Sequence, residues 1–213
     1  MRRGPLLPPH FTRFITMDEE NVTLEYTDRL SKEYSRKAVF TARAEDMAGS
    51  VTTVVVKFTA TYNQDAHIRL AQEGLAPKLW FCERVADVGG LYVVVMDYME
   101  YKSCDDMGKT ETLREDYPGA IQSLRQAIHL LHEDGLVFGD LREPNVLVRG
   151  NGTDASAMLI DFDWCGKEGE VRYPCEINLD REAIQWHKDV YRDGYMKKEH
   201  DEWMFEILTG ERL

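Results

Sequence analysis

Strand-like runs fill much of the segment between residues 38 and 96. Residues 38–43 alternate between apolar and polar side chains, and residues 51–60 are β-branched and mostly apolar around a single lysine. Two further apolar runs, residues 79–85 and 91–96, flank a turn that contains two glycines. Alternation and β-branched side chains are typical of strands, so this part of the chain predicts four of them.

Helical patterns interrupt and then replace the strands. Residues 66–74 predict a short helix, with Asn63 as its N-cap and Gly74 just after its end. Residues 118–134 predict a longer helix, because apolar side chains recur there with a helical period. A third helix is predicted over residues 201–208. The apolar face of the long helix consists of Ile121, Leu124, Ile128 and Leu131.

The order of these elements predicts an α+β protein with two lobes, the first rich in strands and the second helical. Residues 1–20, which include three prolines, predict an N-terminal arm. Residues 21–98 then form the predicted first lobe and residues 99–213 the second. Short apolar runs at residues 136–138, 146–148 and 158–160 predict small strands around a polar loop in the second lobe.

Composition narrows the class of partner. The chain has 213 residues, a net charge of −12 and 43% hydrophobic residues. A globular core is therefore expected, and an acidic chain is a poor partner for nucleic acid. There is no secretion signal or apolar run long enough to cross a membrane, and the four cysteines lack CxxC spacing. These features predict a protein of the cytosol or nucleus with reduced thiols, no cysteine zinc site and no membrane partner.

The polar loop at residues 138–145, with a second acidic cluster after the apolar residues 158–160, is the main candidate for chemistry. Asp140 could orient a hydroxyl, while Asn145 and Asp161 offer the oxygen ligands that hold a divalent ion on phosphates. The alternative is an ordinary polar turn between two strands, capped by Asp and Asn. Lys57 is a second candidate, because a lysine inside an apolar strand is costly to bury without a counter-charge. Its alternative is a solvent-facing position on an edge strand.

The order of these residues resembles that of the protein-kinase-like superfamily: strand lysine, helix, hinge, long helix, catalytic loop, metal-binding Asp and a helix that opens with Asp-x-Trp. Within it the chain looks closest to compact kinase-like proteins known mostly from fungi. The resemblance implies ATP and Mg²⁺ as cofactors. It implies Asp140 as catalytic base, Asn145 and Asp161 as metal ligands, and Lys57 and Arg142 as phosphate clamps.

The resemblance also implies roles for residues outside the catalytic loop. Asp65 would orient Lys57, although the family usually has Glu there, and an acidic residue in a first helical turn is favoured by the helix dipole alone. Asp201 would accept backbone N–H groups of the catalytic loop; its alternative is an N-cap carboxylate with Trp203 as a core residue. Met96 would be the gatekeeper, and the backbone of Asp97, Tyr98 and Met99 would bind adenine.

Four departures from the family pattern affect these expectations. Residues 28–36 contain no glycine, although a loop that covers phosphates needs backbone N–H groups to approach them closely. Phe138 replaces a His, Gly139 replaces an Arg that reads a phosphorylated activation loop, and Asp163 replaces the Gly of Asp-Phe-Gly.

The expected function is transfer of a phosphoryl group from ATP to a hydroxyl of a protein or a small molecule. The alternative is a pseudokinase that serves as a nucleotide-binding or scaffold module, which the four departures favour. The Gly139-Asp140 pair also occurs in small-molecule kinases of the aminoglycoside and choline type, so a small acceptor stays open.

Overall fold

The computed structural model describes residues 9–30, 38–104, 113, 117–180 and 182–213. Most of the glycine-free segment 28–36 and most of the polar connection 101–112 therefore lie outside the described residues. The chain forms two compact units. The first unit comprises Met1–Tyr62 and Pro77–Met99, and the second comprises Asn63–Ala76 and Glu100–Leu213.

The first unit is built on one antiparallel sheet of six strands in the order β1-β2-β3-β4-β6-β5. All four strands expected between residues 38 and 96 are present; the first extends three residues further and the last one residue further, while the second ends one residue earlier. Their bounds, with those of two earlier strands, are Arg13–Ile15 (β1), Asn21–Arg29 (β2), Ala38–Asp46 (β3), Val51–Thr59 (β4), Leu79–Val85 (β5) and Leu91–Asp97 (β6).

The sequence analysis predicts neither β1 nor β2. Arg13–Ile15 pairs with Asn21–Thr23, so part of the segment expected to be an arm is a strand of the sheet. In β2 the side chains of Val22, Leu24 and Tyr26 alternate with exposed polar ones, which is a readable strand signal.

One face of this sheet carries the hydrophobic core of the first unit. Because successive side chains of a strand point to opposite faces, Val54 and Val56 of β4 lie on one face and Lys57 on the other. The core face also holds an aromatic cluster of Phe11, Phe14 and Phe81, whose ring centroids lie 5.3–6.0 Å apart. The separation of faces leaves Lys57 outside this apolar cluster.

The second unit contains three α-helices, Gln64–Gln72 (α1), Pro118–Glu133 (α2) and Lys198–Thr209 (α3), in the residues that the structure describes. The expected helices are thus present, but α1 and α3 begin two and three residues earlier than the sequence indicated. The buried residues of α2 include the four apolar residues expected to form its inner face. Asn63 caps α1 as expected, with its side-chain oxygen accepting the N–H of Ala66 at 3.0 Å.

Short strands position the polar loop of the second unit. Val146–Arg149 (β9) pairs on one side with Ser156–Leu159 (β10) and on the other with Lys102–Ser103 (β7). Leu136–Val137 (β8) pairs with Gly166–Lys167 (β11). The helix α2 packs against β10 and β8. The loop between β8 and β9 therefore begins at a strand that contacts α2 and ends at a strand that pairs with β10.

Two expectations about composition can be compared with the structure. None of the four cysteines forms a disulfide. Burial raises the pKa of Cys104 to about 12 and also raises the pKa of Cys165, so both are neutral thiols at pH 7. In the described ranges, every helix falls short of the length and apolar character that crossing a bilayer would need.

Candidate active site

Asp140 is the centre of the polar loop, and its carboxylate is almost fully buried. Arg142 donates to it through two nitrogens: Nε to one carboxylate oxygen and Nη2 to the other at 2.8 Å. A buried carboxylate needs such partners, because an unpaired charge would be costly to desolvate. The guanidinium of Arg142 also lies over the rings of Trp164 and Trp186, which fixes its direction.

Asn145 is the second buried polar residue of the loop. It follows Pro144 in a single 3₁₀ turn, Glu143–Asn145. Its amide nitrogen donates to both the backbone carbonyl and the carboxylate of Asp140, each at 2.8 Å. With the nitrogen used in this way, the amide oxygen is the atom of Asn145 that can serve as a metal ligand.

Asp201, in the first turn of α3, holds the start of the loop. Its two carboxylate oxygens accept the backbone N–H groups of Phe138 at 2.7 Å and of Gly139 at 2.9 Å. His132 Nε2 lies 3.2 Å from the same carboxylate. The expected role of Asp201 is therefore confirmed. The alternative is wrong on both points, since Lys197 is the N-cap of α3 and Trp203 is exposed rather than part of the core.

The backbone conformation of the loop requires a glycine at position 139. Its φ of +80° lies in the left-handed region that glycine tolerates best. A Cβ atom at this position would also lie 2.5 Å from Sδ of Met196, which is buried. The departure from the family Arg thus has a local structural reason in this chain.

Asp161 follows β10 and has a positive φ of +72°, which is uncommon for a residue other than glycine. The N–H of the preceding residue, Ile160, donates to the carbonyl of Asn145 at 3.0 Å. This bond brings the backbone beside Asp161 next to the loop. The two residues expected to hold a metal ion therefore lie on adjacent backbone segments of one unit.

Aromatic rings pack against each other beneath the loop of Asp140 and the segment of Asp161. Phe162 is fully buried, and its ring stacks on His67 of α1 with a centroid distance of 4.8 Å. Phe138 meets Phe162 edge-on at 5.6 Å. Phe138 therefore fills an apolar position, and it connects the loop to the segment of Asp161 by packing.

Asn63 and His67 are contributions that the sequence analysis did not find. The backbone N–H of Asn63 donates to the carbonyl of Phe162 at 3.1 Å, and its side-chain nitrogen donates to the carbonyl of Cys165 at 3.2 Å. Asn63 therefore caps α1 and also binds the backbone of the segment that carries Asp161. Only the cap could be read from the sequence, because the other two bonds join residues about a hundred positions apart.

Lys57 lies in β4, which is an interior strand between β3 and β6. It pairs with Val39 on one side and Val94 on the other, and it is buried. The edge-strand alternative for this lysine is therefore wrong. Its Nζ lies 5.6 Å from the centroid of the Tyr62 ring, a cation–π distance that stabilises the charge.

The residues expected to bind adenine lie at the end of β6 in the first unit. Met96 is buried, and the side chain of Asp97 accepts the indole N–H of Trp80 at 2.7 Å. The backbone N–H of Asp97 donates to Lys78, and that of Tyr98 donates to Thr53. Two backbone N–H groups of this segment are therefore already used within the unit, which leaves its carbonyls and Met99 as the groups to test for adenine binding.

Asp65 lies in the first turn of α1 and is exposed. This is the position at which a carboxylate is favoured by the helix dipole. Its role as the partner of Lys57 stays a prediction. Glu73, at the other end of α1, forms an ion pair with Arg69 at 3.0 Å.

Comparisons with known proteins by sequence and by structure both find similarity to kinases. No family model matches the chain. Over 147 residues, 65% of the chain, it is 28% identical to the serine/threonine-protein kinase max-2 of Caenorhabditis elegans, and it spans only 22% of that relative's length. Its fold is similar to that of the Cydia pomonella granulovirus kinase PK-1, with a TM-score of 0.59, 19% identity, and coverage of 89% of this chain and 69% of that one.

The expected fold class is therefore confirmed: the chain has a protein-kinase-like fold, with a sheet-rich N-terminal part and few helices. The two similarities support a place in the protein-kinase-like superfamily. The narrower assignment to compact proteins of the fungal type stays a prediction.

Proposed function

We propose that this protein is an ATP- and Mg²⁺-dependent phosphotransferase that moves the γ-phosphoryl group of ATP to a hydroxyl group. The arrangement that carries the proposal is the buried loop in which Asn145 bonds Asp140 through its amide nitrogen. Because the amide nitrogen is used in this bond, the amide oxygen would be the metal ligand, and the carboxylate of Asp140 would receive the proton. The sequence similarity to a protein named as a serine/threonine kinase favours the same chemistry.

The donor set fits Mg²⁺. This ion prefers carboxylate and carbonyl oxygens and keeps several waters, so one carboxylate and one amide oxygen are sufficient protein ligands. Asn145 and Asp161 would supply them, and the positive φ of Asp161 is the kind of local strain found at ligand sites. The bound ion would neutralise charge on the phosphate oxygens.

Asp140 would orient the acceptor hydroxyl and take its proton. A carboxylate has about four lone-pair positions, and Arg142 and Asn145 use three of them here. One acceptor position is then left for the hydroxyl. The bonds from Arg142 and Asn145 hold the carboxylate in place during the transfer, which is the pre-organisation that catalysis of this kind depends on.

Arg142 and Lys57 would stabilise the negative charge of the transferred group. In this structure Arg142 is engaged by Asp140, so a contact with phosphate would use its remaining N–H groups. Lys57 is buried, and its amine lies over the ring of Tyr62, a contact that favours the charged form that a phosphate clamp requires. Asp65 would orient that lysine, and Met96 to Met99 would contact the adenine.

A cavity of about 240 Å³ beside Arg142 is a candidate site for the acceptor. Trp164, Trp186 and Ile177 are among the residues that line it. The cavity is smaller than the roughly 300–1,000 Å³ of typical ligand pockets, so it suits one side chain or a small hydroxylated molecule.

A pseudokinase that binds nucleotide or a partner without turnover is the second candidate function. The specific observation in its favour is the two-nitrogen contact of Arg142 with Asp140, which uses two of the about four acceptor positions of the carboxylate. Asp163, in place of the family glycine, adds a second negative charge close to the metal ligand in sequence.

Nucleotide binding is tested first, by thermal unfolding of the full chain with ATP and Mg²⁺. If ATP binds only the folded protein, it should raise the free energy of unfolding by about 2.7 kcal/mol when its concentration is a hundred times the dissociation constant. This corresponds to an increase in Tm of roughly 5–10 °C. Lys57→Met and Asp161→Asn should abolish the increase, whereas Lys102→Met and Asp154→Asn, which change exposed residues, should keep it. A wild-type Tm that is unchanged at millimolar ATP would contradict both candidate functions that involve nucleotide.

Turnover is tested second, with a generic protein substrate and a panel of hydroxylated metabolites. Asp140→Asn should keep the ATP-induced Tm increase but lower phosphoryl transfer about 10²–10⁴-fold, the usual contribution of a general base. Nucleotide binding without transfer to any acceptor, unchanged by Asp140→Asn, would favour the pseudokinase. The acceptor class follows from which panel is phosphorylated.

A further inference from the structure

A cluster of potential metal ligands lies in the second unit, apart from the loop described above. His187, Glu199 and His200 each place one ligand atom within 4.8 Å of the other two. Glu199 and His200 open α3, and His187 comes from the segment before it. Two imidazoles and a carboxylate form a donor set that zinc uses widely in proteins.

His200 provides the observation that points to a ligand. It is 1% exposed, and its Nε2 is a buried side-chain nitrogen that has no hydrogen-bond partner among the described residues. A buried polar atom without a partner costs about 1–3 kcal/mol, so it needs an explanation. An ion at Nε2 would supply the missing partner.

The other nitrogen of His200 is already held in the way that metal ligands require. Nδ1 lies 3.0 Å from the hydroxyl of Tyr173, which is itself buried. When Nδ1–H donates to this hydroxyl, the lone pair of the ring is on Nε2. A second hydrogen bond of this kind is the usual support of a histidine that binds a metal.

His187 is oriented by its neighbours. Its ring packs against that of His200 with a centroid distance of 5.3 Å and meets Trp203 edge-on at 5.7 Å. Its Nδ1 accepts the backbone N–H of Asp189 at 3.4 Å. This arrangement leaves Nε2 of His187 as the nitrogen to coordinate an ion.

Glu199 is exposed and completes the set. One of its oxygens accepts from Lys197 at 2.9 Å, and Lys197 also lies 3.6 Å from Asp189. A carboxylate has enough acceptor positions to keep this contact and bind an ion. Lys197 is therefore a nearby positive charge that the site has to tolerate.

We propose that His187, Glu199 and His200 form a site for a transition metal ion of the zinc class, which fastens the segment around His187 to the start of α3. In a tetrahedral zinc site the ligand atoms are about 3.3 Å apart, because each is about 2.0–2.1 Å from the ion. Because the ligand atoms now lie within 4.8 Å of one another, closing the cluster requires them to approach by about 1.5 Å at most. A surface cavity of about 510 Å³, lined in part by His187 and Glu199, gives room for a water as the fourth ligand.

The site differs in chemistry from the proposed Mg²⁺ site. Nitrogen ligands favour zinc and its neighbours in the first transition row, whereas oxygen ligands favour Mg²⁺. The two sites can therefore be tested separately, and binding of zinc at the histidines does not depend on ATP or on turnover.

The test is a calorimetric titration of the full chain with ZnCl₂ after treatment with a chelator, in a buffer that contains millimolar MgCl₂ and no nucleotide. One equivalent of zinc should bind, and saturation should raise Tm. His187→Gln and Glu199→Gln should each weaken binding by at least about tenfold, since loss of an outer partner alone costs about 10–100-fold. Both variants change side chains that are not fully buried, so they should fold.

Matched controls are available on the same surface. His129→Gln and Glu202→Gln change an exposed histidine and an exposed glutamate that line the same cavity but lie outside the cluster, and both should bind zinc like the wild type. Cys175→Ser removes the exposed thiol, another possible zinc ligand. No zinc binding, equal affinity in His187→Gln and wild type, or loss of binding in Cys175→Ser alone would each overturn the proposal.

Discussion

The carboxylate of Asp201 accepts the backbone N–H of Phe138 at 2.7 Å, although 63 positions separate the two residues in the chain. The same carboxylate accepts the N–H of Gly139, so a side chain of α3 determines the backbone conformation just before Asp140. The loop proposed to carry the chemistry is therefore held by a residue that takes no part in it. The shape of the loop should depend on buried hydrogen bonds, on the positive φ of Gly139 and on aromatic packing.

Asp201→Asn should lower the free energy of unfolding by about 2–3 kcal/mol. The asparagine keeps the shape but offers one oxygen instead of two, so one of the two buried N–H groups meets an NH₂ group. Urea unfolding measures the change. Glu202→Gln, an exposed change on the same helix, should stay within about 0.5 kcal/mol of the wild type. Equal stability of both variants would mean that Asp201 does not hold the loop.

Gly139→Ala should destabilise the protein by more than the positive φ alone accounts for. The backbone cost of about 1–2 kcal/mol is shared by Gly135→Ala, because Gly135 has a φ of +73° and open space around its Cβ position. The additional contact with Met196 should cost about 1–3 kcal/mol. The comparison of the two variants by chemical unfolding isolates the clash; identical losses would argue against it.

Phe138→Ala should cost about 3–5 kcal/mol, because it removes a fully buried ring that packs edge-on against Phe162. Phe138→His, which introduces the residue usual in kinases, should cost less since it keeps an aromatic ring. Thermal or urea unfolding gives the order of the two. A histidine variant less stable than the alanine variant would show that the apolar character of this position matters more than its shape.

Asn63→Ala should destabilise the protein by about 1–2 kcal/mol, through loss of the cap on α1 and of the bond to the carbonyl of Cys165. Asn63→Ser is the matched control, because serine can accept the N–H of Ala66 but is too short to replace the amide nitrogen. The serine variant should therefore lie between the alanine variant and the wild type in urea unfolding. If serine restores the full stability, the bond to Cys165 contributes nothing measurable.

Much of the secondary structure could be predicted from local patterns. The β-branched run of β4, the periodic face of α2 and the cap at Asn63 are signals contained within a few residues, so the sequence alone located them. The strand β2 also has such a signal in Val22, Leu24 and Tyr26, which alternate with exposed polar residues. The strand β1 has only three residues and depends on pairing with β2.

The local sequence could not decide where a strand lies in its sheet. Alternation around Lys57 is compatible with an edge or an interior position, and the structure places the residue between β3 and β6. The reason is physical: the pattern along one strand records which face is apolar, whereas its neighbours are determined by the fold of the whole unit.

The sequence by itself determined the kinase-like order of motifs and most of the elements that carry them, because period and turn chemistry act over short distances. Only the tertiary structure decided which polar atoms meet: Asp201 with the loop of Asp140, Asn63 with the segment of Asp161, and His187 with His200. These contacts join residues that are distant in the chain, and their free energy depends on burial and direction, which no local pattern encodes.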